Sequence, residues 1–273
     1  MKENLEGNRS LETGTQSEGY PAFHLAGVIP VSGEMDTRDR FLHPTLRPIA
    51  DNYFPIQHAV INCVNAGCDT IWIVCRQQMV NILKEILGES IMDTRSLNDK
   101  RVPIYYIYTR LLDIPRKDFD SWLILHGAVA AFKTAIGISK WFIPNKYYVS
   151  LPSGVYDISK LSGLRTTIKS KYNNFLLKSN EISALDGAPL AFSFGVEDFV
   201  RARRRINKEG LTTLADAFQD LAEQNFNSIE IGESFDIGTW EGYKCYFRSP
   251  LSDKIFRPTK EVIHHFRWKR VAI

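Results

Sequence analysis

Residues 54–75 read FPIQHAVINCVNAGCDTIWIVC, and this stretch decides the fold because it joins a helix directly to a strand. Its first half places apolar residues at helical spacing, at Ile56, Ala59, Val60, Cys63 and Val64. Gly67 then supplies the residue type that most often ends a helix, and a β-rich run follows at residues 70–75. A helix that leads into a buried strand is the repeating unit of a parallel sheet.

The same alternation extends in both directions from this stretch. Residues 23–33 predict a buried strand that is followed by a long polar loop. Further along, the sequence predicts a helix, a strand, a helix, and a strand that runs into a turn, at residues 78–88, 102–109, 127–142 and 145–157. This order predicts an α/β fold, a three-layer α/β/α arrangement around a mostly parallel mixed sheet.

The second half of the chain has a less regular pattern. Residues 184–195 fit either a strand pair or an extended segment, and two helices are predicted at 196–210 and 211–226. A short strand, a loop and a helix then occupy residues 228–250. Residues 1–20 are too polar to offset their ordering entropy by burial, which predicts a flexible tail. Because no repeat or linker divides the remainder, we expect a single domain over residues 21–273.

Composition narrows the class of protein. The chain has 273 residues, 44% hydrophobic and 24% charged, which is typical of a globular protein with a sizeable core. A formal net charge of +3 does not predict a nucleic-acid or anionic-membrane partner, and no apolar run approaches the roughly 18 residues of a membrane span. The four cysteines lack CxxC spacing, which argues against zinc and a disulfide framework. We therefore expect reduced, mostly buried thiols and a cytoplasmic location.

The first candidate ligand site follows the first strand, because ligands of open parallel sheets bind beyond the carboxyl ends of the strands. Gly33 permits close approach of the backbone to a phosphate, and Arg38 offers a fork of donors that can bind it. An ordinary solvated loop fits the same residues. Arg47, before Pro48, places a second cation on this connection, with a surface arginine at a turn as the alternative.

Small residues mark the next two candidates. Gly127 and Ala128 begin the helix predicted at residues 127–142, where free N–H groups could meet a base or a phosphate. Tight packing of the helix on the sheet explains these small residues equally well. Ser153 and Gly154 lie where the last strand of the first half meets its turn.

Two carboxylates complete the candidate site. Asp157 and Asp236 could converge on a hard cation such as Mg²⁺, which neutralises phosphate charge during group transfer. The alternative is that each carboxylate is a turn or capping residue.

Taken in order, these features resemble the sugar nucleotidyltransferase family. Members of that family have a GGxGTR-type loop after the first strand, then a Lys-Pro pair; this chain has residues 33–38 and Arg47-Pro48. The family's Gly-Leu-Ala-Gln-Ala-Phe-like helix start is similar to residues 127–132. The most specific likeness is Asp-x-Gly-Thr before a helix, which is similar to residues 236–240, DIGTW. The resemblance spans most of residues 25–248 and implies a Rossmann-like GT-A nucleotidyltransferase fold.

The resemblance also implies roles for the candidate residues. Arg38 and Arg47 would be the catalytic cations, and Asp236, with Asp157 from a shifted loop, would bind Mg²⁺. The nucleotide would be bound by Gly33, Gly127, Ala128, Ser153 and Gly154. Residues 21–157 would form the nucleotide-binding half and residues 158–273 the acceptor-binding half. The implied partners are a nucleoside triphosphate and a sugar 1-phosphate, which react to give a nucleotide-sugar and pyrophosphate. A homo-oligomer is compatible with such a fold.

The chain departs from the family pattern at two positions. Arg47 replaces the lysine, which keeps the charge but changes its geometry. Leu151-Pro152-Ser153 replaces the family's Leu-Gly-Asp, so Ser153 stands where the first metal-binding carboxylate is expected. Two other functions therefore stay open: a GT-A-type glycosyltransferase that uses a nucleotide-sugar donor, and a catalytically silent nucleotide-binding protein.

Two basic segments also have alternative interpretations. Arg201, Arg203, Arg204 and Arg205 form either a solvated helix face or a contact for a phosphorylated acceptor or nucleic acid. The segment HHFRWKR at residues 264–270, with His264, His265, Trp268 and Arg270, either stacks on a base or packs as a terminal helix.

Overall fold

The computed structural model of the protein describes residues 23–31, 43–93, 100–109, 119–138, 143–171, 173–209, 213–218, 221 and 226–256. Its strands are β1 Leu25–Pro30, β2 Thr70–Arg76, β3 Ser90–Asp93, β4 Lys100–Thr109, β5 Lys146–Val149, β6 Gly154–Tyr156, β7 Asn174–Ser179, β8 Ile182–Ser183, β9 Phe192–Gly195, β10 Phe226–Glu230 and β11 Ser234–Asp236. Its helices are α1 Pro55–Ala66, α2 Val80–Leu87, α3 Phe119–Ile138, α4 Arg165–Ile168, α5 Val196–Glu209, α6 Leu214–Ala217, α7 Trp240–Arg248 and α8 Pro250–Phe256.

Within the described residues, the central sheet has nine strands. Eight follow the order β10-β7-β9-β5-β1-β2-β4-β3, and β8 pairs with β7. Strand β1 is parallel to β2 and β5, β2 is parallel to β4, and β7 is parallel to β10. Strand β9 is antiparallel to β5 and β7, and β3 is antiparallel to β4. The sheet is thus mixed and mostly parallel, as the sequence predicts.

Helices cover both faces of this sheet. On one face, α1 buries its apolar residues in a core that contains Ile56, Val60 and Cys63. On the other face, Val28 and Trp72 pack with α3 and α5 in a second core. The three-layer α/β/α prediction is confirmed. Cys63, Cys68 and Cys75 are buried, as expected, and Cys245 is exposed.

The stretch that decides the fold has the predicted structure. Helix α1 ends at Ala66, where Gly67 adopts φ +85°, and its N–H donates to the carbonyls of Cys63 and Val64. Strand β2 begins three residues later and pairs in register with β1, Val28 opposite Trp72. The apolar spacing and Gly67, both local features of the sequence, are therefore sufficient to predict α1 and β2.

The prediction that a helix begins at Gly127 is wrong. Helix α3 begins at Phe119, eight residues earlier, because the segment 119–126 adds apolar residues to the same buried face. Gly127 and Ala128 therefore lie inside the helix, and residues 139–142 lie outside the described residues. Although α3 is apolar, no described helix is long and apolar enough to span a membrane.

The irregular region contains more strand than the sequence indicates. Residues 174–179 form β7, which pairs with β9 and β10, and only residues 192–195 of the predicted strand pair are a strand. Of the helix predicted at 211–226, the described part is α6. A separate two-stranded sheet, β6 with β11, brings residue Gly154 opposite Asp236.

Candidate functional site

The Asp-x-Gly-Thr segment forms a tight turn between β11 and α7. The Asp236 carboxylate Oδ1 accepts a hydrogen bond from the Gly238 N–H at 2.9 Å. The Thr239 side chain donates to the Asp236 carbonyl at 3.0 Å and accepts from the Gly242 N–H at 3.1 Å, which caps α7. Burial raises the pKa of Asp236, and the single Gly238 N–H only partly opposes this effect. A carboxylate is thus fixed in a place that disfavours its charge.

Ser153 and Gly154 lie directly beside this turn. The Ile237 N–H donates to the Ser153 carbonyl at 2.9 Å, and Gly154 pairs with Asp236. A Cβ on Gly154 would lie 1.7 Å from the Pro189 carbonyl oxygen, so close backbone packing requires glycine there. Ser153, which replaces the aspartate of the family pattern, therefore lies next to Asp236, the predicted metal-binding residue.

Arg47 reaches the same region from the loop before α1. Its guanidinium lies 6.0 Å from the ring centroid of Trp240, the first residue of α7. Arg47 is 4% exposed whereas Trp240 is 51% exposed. Tyr243 donates to the Pro48 carbonyl at 2.8 Å and Tyr246 donates to the Ile49 carbonyl at 3.0 Å. Helix α7 therefore holds the Arg47-Pro48 loop next to the Asp236 turn.

Asp157 does not join this group. Its carboxylate accepts a hydrogen bond from the Ser159 N–H at 2.9 Å. Burial tends to raise the pKa of Asp157, but hydrogen bonds from Ser159 outweigh burial, and the pKa is lowered. Asp157 follows Tyr156, which pairs with Ser234, so it lies roughly 10 Å along the strands from the level of Asp236. The structure supports the turn-capping alternative for Asp157.

Comparisons with known proteins identify the architecture. No protein-family model matches the chain, and no curated protein matches its sequence. Solved structures do match. A provisionally named glucose-1-phosphate thymidylyltransferase from Bacillus anthracis, solved with sucrose, has 11% identity and a TM-score of 0.59, over 84% of this chain and 99% of that chain. The chain has the sugar nucleotidyltransferase fold.

Two further structures agree with this nucleotidyltransferase fold. A UDP-glucose pyrophosphorylase complexed with UDP-glucose has 14% identity and a TM-score of 0.55, over 86% of this chain and 99% of that chain. A UDP-glucose pyrophosphorylase from Acinetobacter baumannii has 13% identity and a TM-score of 0.53, over 88% of this chain and all of that chain. The resemblance inferred from residues 25–248 is confirmed at the level of fold.

Gly127 and Ala128 have a packing role in this nucleotidyltransferase fold. A Cβ on Gly127 would lie 2.7 Å from Val74 Cγ2 and 2.8 Å from Val28 Cγ1, so α3 approaches the sheet too closely for a side chain. Ala128 is fully buried in the same core. Since Gly127 is inside a helix, the free N–H groups expected at a helix start are not found there. Helix–sheet packing, the alternative given above, accounts for both residues.

Several predicted residues lie outside the described part of the nucleotidyltransferase fold. These are Gly33 and Arg38, which follow β1 in the sequence, and His264, His265, Trp268 and Arg270 near the end of the given sequence. Of the basic residues on α5, Arg201, Arg203 and Arg204 are exposed. Arg201 lies 3.9 Å from Glu197 one turn away, as on a solvated charged face.

The described residues provide one suitable carboxylate for a divalent cation but not a complete set of protein ligands. They contain no group of three or more His, Cys, Asp or Glu side chains placed to hold a metal ion. Mg²⁺ does not need such a cage, because one or two carboxylates together with substrate phosphates commonly bind it. Asp236 fits that arrangement, since it is a partly buried carboxylate and a cation would lower its pKa.

The aromatic residues of α7 were missed in the sequence. Trp240 and Tyr243 stack at a centroid distance of 5.7 Å, and Tyr243 packs edge-on against Phe247. Trp240, Tyr243 and Phe247 follow DIGT at successive intervals of three and four residues, which was a visible signal of one helix face. The hydrogen bonds of Tyr243 to the Pro48 carbonyl and of Tyr246 to the Ile49 carbonyl join residues almost 200 positions apart, so the sequence could not reveal them.

Proposed function

We propose that the protein is a nucleotidyltransferase that joins a nucleoside triphosphate to a sugar 1-phosphate. A phosphate oxygen of the sugar 1-phosphate attacks the α-phosphorus in line, a new P–O bond forms, and the bond to the β-phosphate oxygen breaks. Pyrophosphate leaves with that electron pair, and the nucleotide-sugar remains. No general base is needed, because the attacking phosphate is already ionised at neutral pH. Catalysis of this kind depends on positioning and charge neutralisation.

The chain's residues would divide that work between them. Asp236 would hold Mg²⁺ together with the substrate phosphates, and the bound ion would neutralise phosphate charge. Arg47 would bind phosphate oxygens and stabilise the negative charge that develops on them. Arg47 is buried and the Trp240 ring lies near it, so contact with a phosphate requires this ring or its neighbours to move. Gly33 and Arg38, which follow β1 in the sequence and lie outside the described residues, would contribute to phosphate binding.

The observation that supports the proposal best is the convergence of Asp236 and the Arg47 loop. Helix α7 follows directly from the DIGT turn, and two of its tyrosines bind the carbonyls of Pro48 and Ile49. The loop that carries Arg47 thus lies against the helix that follows Asp236, in a fold that sugar nucleotidyltransferases share. Phosphoryl transfer uses a metal-binding group and a phosphate-binding cation around the same substrate.

A silent nucleotide-binding protein is the second candidate function. The observation that favours it is Ser153, which lies beside Asp236 at the position where the family pattern has the first metal-binding carboxylate. A single carboxylate binds Mg²⁺ more weakly than a pair does, so nucleotide could bind without turnover. A glycosyltransferase would differ from both, because it would consume a nucleotide-sugar without releasing pyrophosphate.

A pyrophosphate-release assay tests these functions. The full chain is incubated with Mg²⁺ and a panel of nucleoside triphosphates and sugar 1-phosphates. Release that requires both substrates and is reduced at least about 100-fold by Asp236→Asn supports the transferase. Glu233→Gln, an exposed carboxylate three residues earlier, is the matched control and should change little. Binding of triphosphate without release from any pair would favour the silent protein and contradict the proposal.

The position of Ser153 allows a second test. Ser153→Asp restores the carboxylate that the family pattern has at this position. If the proposed chemistry is correct, the variant should raise the rate or lower the Mg²⁺ concentration needed for half-maximal rate. Asp157→Asn should leave both quantities close to wild type, since that carboxylate caps Ser159. Equal effects of the two substitutions would argue against a metal site at Asp236.

A further inference from the structure

A cavity lies at the edge of the central sheet where the parallel strands begin, whereas the Asp236 turn adjoins β6, which follows the carboxyl end of β5. Its volume is about 540 Å³. His24 precedes β1, Thr70 begins β2, Lys100 begins β4 and Pro144 precedes β5, and all four line it. The second half of α3 provides the facing wall through Ala131, Thr134 and Ala135. This amino-edge cavity shares no lining residue with the Asp236 site.

Two stacked aromatic rings form one wall of the amino-edge cavity. Trp72 and Tyr105 are cross-strand neighbours on β2 and β4, with centroids 4.3 Å apart and planes at 18°. The Trp72 indole N–H donates to the Thr70 hydroxyl at 3.0 Å, which fixes the ring. Phe23 and Pro103 add further apolar surface. Such a wall suits a flat, apolar ring, because stacking and burial both favour it.

The polar part of the amino-edge cavity is positively charged. Asp69 is the carboxylate among its lining residues, and Lys100 and Lys169 both form ion pairs with it, the latter at 3.3 Å. The Leu25 N–H also donates to Asp69 at 2.8 Å. Two lysines therefore more than compensate the charge of Asp69, and the exposed Arg101 adds a further cation to the lining. An anionic group complements this charge.

We propose that the amino-edge cavity binds a small molecule in which a flat aromatic ring carries an anionic group. The ring packs on the Trp72–Tyr105 pair, and the anion lies against Arg101 and Lys100. The volume falls within the roughly 300–1,000 Å³ of small-molecule pockets. Because the cavity shares no lining residue with the Asp236 site, it does not depend on the function proposed for Asp236.

Calorimetric titration of the full chain with two matched probes tests the proposal. Naphthalene-2-sulfonate has the ring and the charge, whereas naphthalene-2-methanol has only the ring. We expect saturable binding of the sulfonate that is about tenfold tighter than binding of the alcohol, since a hydrogen-bonded charge contributes about that factor. Absence of saturable sulfonate binding, or equal affinity for both probes, would overturn the proposal.

Substitutions test whether the sulfonate probe binds in the amino-edge cavity. Thr134→Trp fills the space beside the aromatic wall and should abolish binding, whereas Lys133→Trp, on the adjacent exposed position of α3, should not. Arg101→Ala should weaken the sulfonate about tenfold and leave the alcohol unchanged. Thermal unfolding of each variant verifies its fold. Undiminished binding to folded Thr134→Trp would contradict the location. Asp236→Asn should bind the sulfonate like wild type, which separates this result from the nucleotidyltransferase test.

Discussion

Asp69 and Asp236 are both partly buried carboxylates, yet their surroundings are opposite. Asp69 precedes β2 at the amino edge of the central sheet, whereas Asp236 ends β11 of the separate two-stranded sheet. The other strand of that small sheet, β6, follows the carboxyl end of β5, and we call this region the carboxyl edge. Burial tends to raise the pKa of Asp69, but Lys169, the Leu25 N–H and Lys100 outweigh it and lower the pKa. At Asp236, burial dominates and raises the pKa, with only the Gly238 N–H against it. At the amino edge, Lys100 and Lys169 neutralise the charge of Asp69, and Arg101 adds a further positive charge. At the carboxyl edge, burial disfavours the charge of Asp236, so binding of a cation there would be favourable.

This difference distinguishes Asp69, whose ionised form the fold stabilises, from Asp236, whose ionised form the fold disfavours. A group whose ionised form is stabilised by its neighbours contributes to folding, whereas a group whose charge is disfavoured gains from binding a cation. The sequence motifs identified Asp236 but not Asp69, so only the structure shows how the two carboxylates differ. This difference predicts opposite effects on stability when each aspartate is replaced by asparagine.

Gly242→Ala should have the largest effect, because it disrupts the carboxyl edge itself. A Cβ on Gly242 would lie 1.9 Å from the Asp236 carbonyl oxygen, so α7 and the DIGT turn cannot both keep their places. We expect the free energy of unfolding to fall by about 3 kcal/mol or more in urea denaturation. Gly137→Ala, another helical glycine with open space around it, should instead stabilise by about 0.5–1 kcal/mol. A small loss for Gly242→Ala would show that this turn is loosely packed.

A buried histidine beneath the carboxyl edge should make stability depend on pH. His58 Nε2 donates to the Tyr156 carbonyl at 3.0 Å, and Tyr53 OH donates to Nδ1 at 3.1 Å. Burial lowers the pKa of His58 to about 4, so the unfolded chain takes up a proton first as pH falls below about 6.5. The free energy of unfolding should drop by about 1.6 kcal/mol between pH 6.5 and pH 5. His58→Gln should flatten that slope; an unchanged slope would assign it to other groups.

Asp69→Asn tests the amino edge of the comparison. The substitution leaves Lys100 and Lys169 without their carboxylate, and we expect a loss of about 1.5 kcal/mol at pH 7, reduced by the partial exposure of both lysines. Because the pKa of Asp69 is lowered in the folded chain, its stabilisation is present above about pH 4 and is lost as pH falls further. Urea titrations at pH 7 and pH 3 measure this difference. A variant as stable as wild type at pH 7 would contradict the assignment.

Asp236→Asn should have the smallest effect on stability, and the opposite sign. Because the pKa of Asp236 is raised in the folded chain, its ionised form at pH 7 is disfavoured by folding, and a neutral amide removes that cost. We expect a gain of less than about 1 kcal/mol in urea denaturation, with Glu233→Gln unchanged within about 0.5 kcal/mol. A clear destabilisation would show that Asp236 is structural, like Asp69.

Contiguous patterns made part of this structure predictable. The helix and strand at residues 54–75 follow from apolar spacing and Gly67, and DIGT indicated Asp236 because the motif is continuous in the chain. Strand β7 was not recognised, since its pairing with β9 and β10 depends on segments far along the chain. The start of α3 was placed at Gly127 because small residues resemble a helix beginning, whereas here they permit contact with Val28 and Val74.

Relations across the fold account for what the sequence missed at the sites. Asp157 is four residues from Ser153, but β6 carries it away from Asp236 and Ser159 satisfies it. The amino-edge cavity brings together Phe23, Asp69, Arg101 and Thr134 from four separate segments, and no local pattern joins them. Spatial convergence of this kind has no signature in a single sequence.

The binding of a magnesium–nucleoside triphosphate complex is the direct test of Asp236 as a metal-binding carboxylate. Calorimetry on wild type, Asp236→Asn and Glu233→Gln, each with Mg²⁺ and with a chelator, measures the affinity and its dependence on the metal. The account predicts metal-dependent binding that Asp236→Asn weakens about tenfold or more, while Glu233→Gln binds like wild type. Binding that ignores both Mg²⁺ and Asp236 would contradict it.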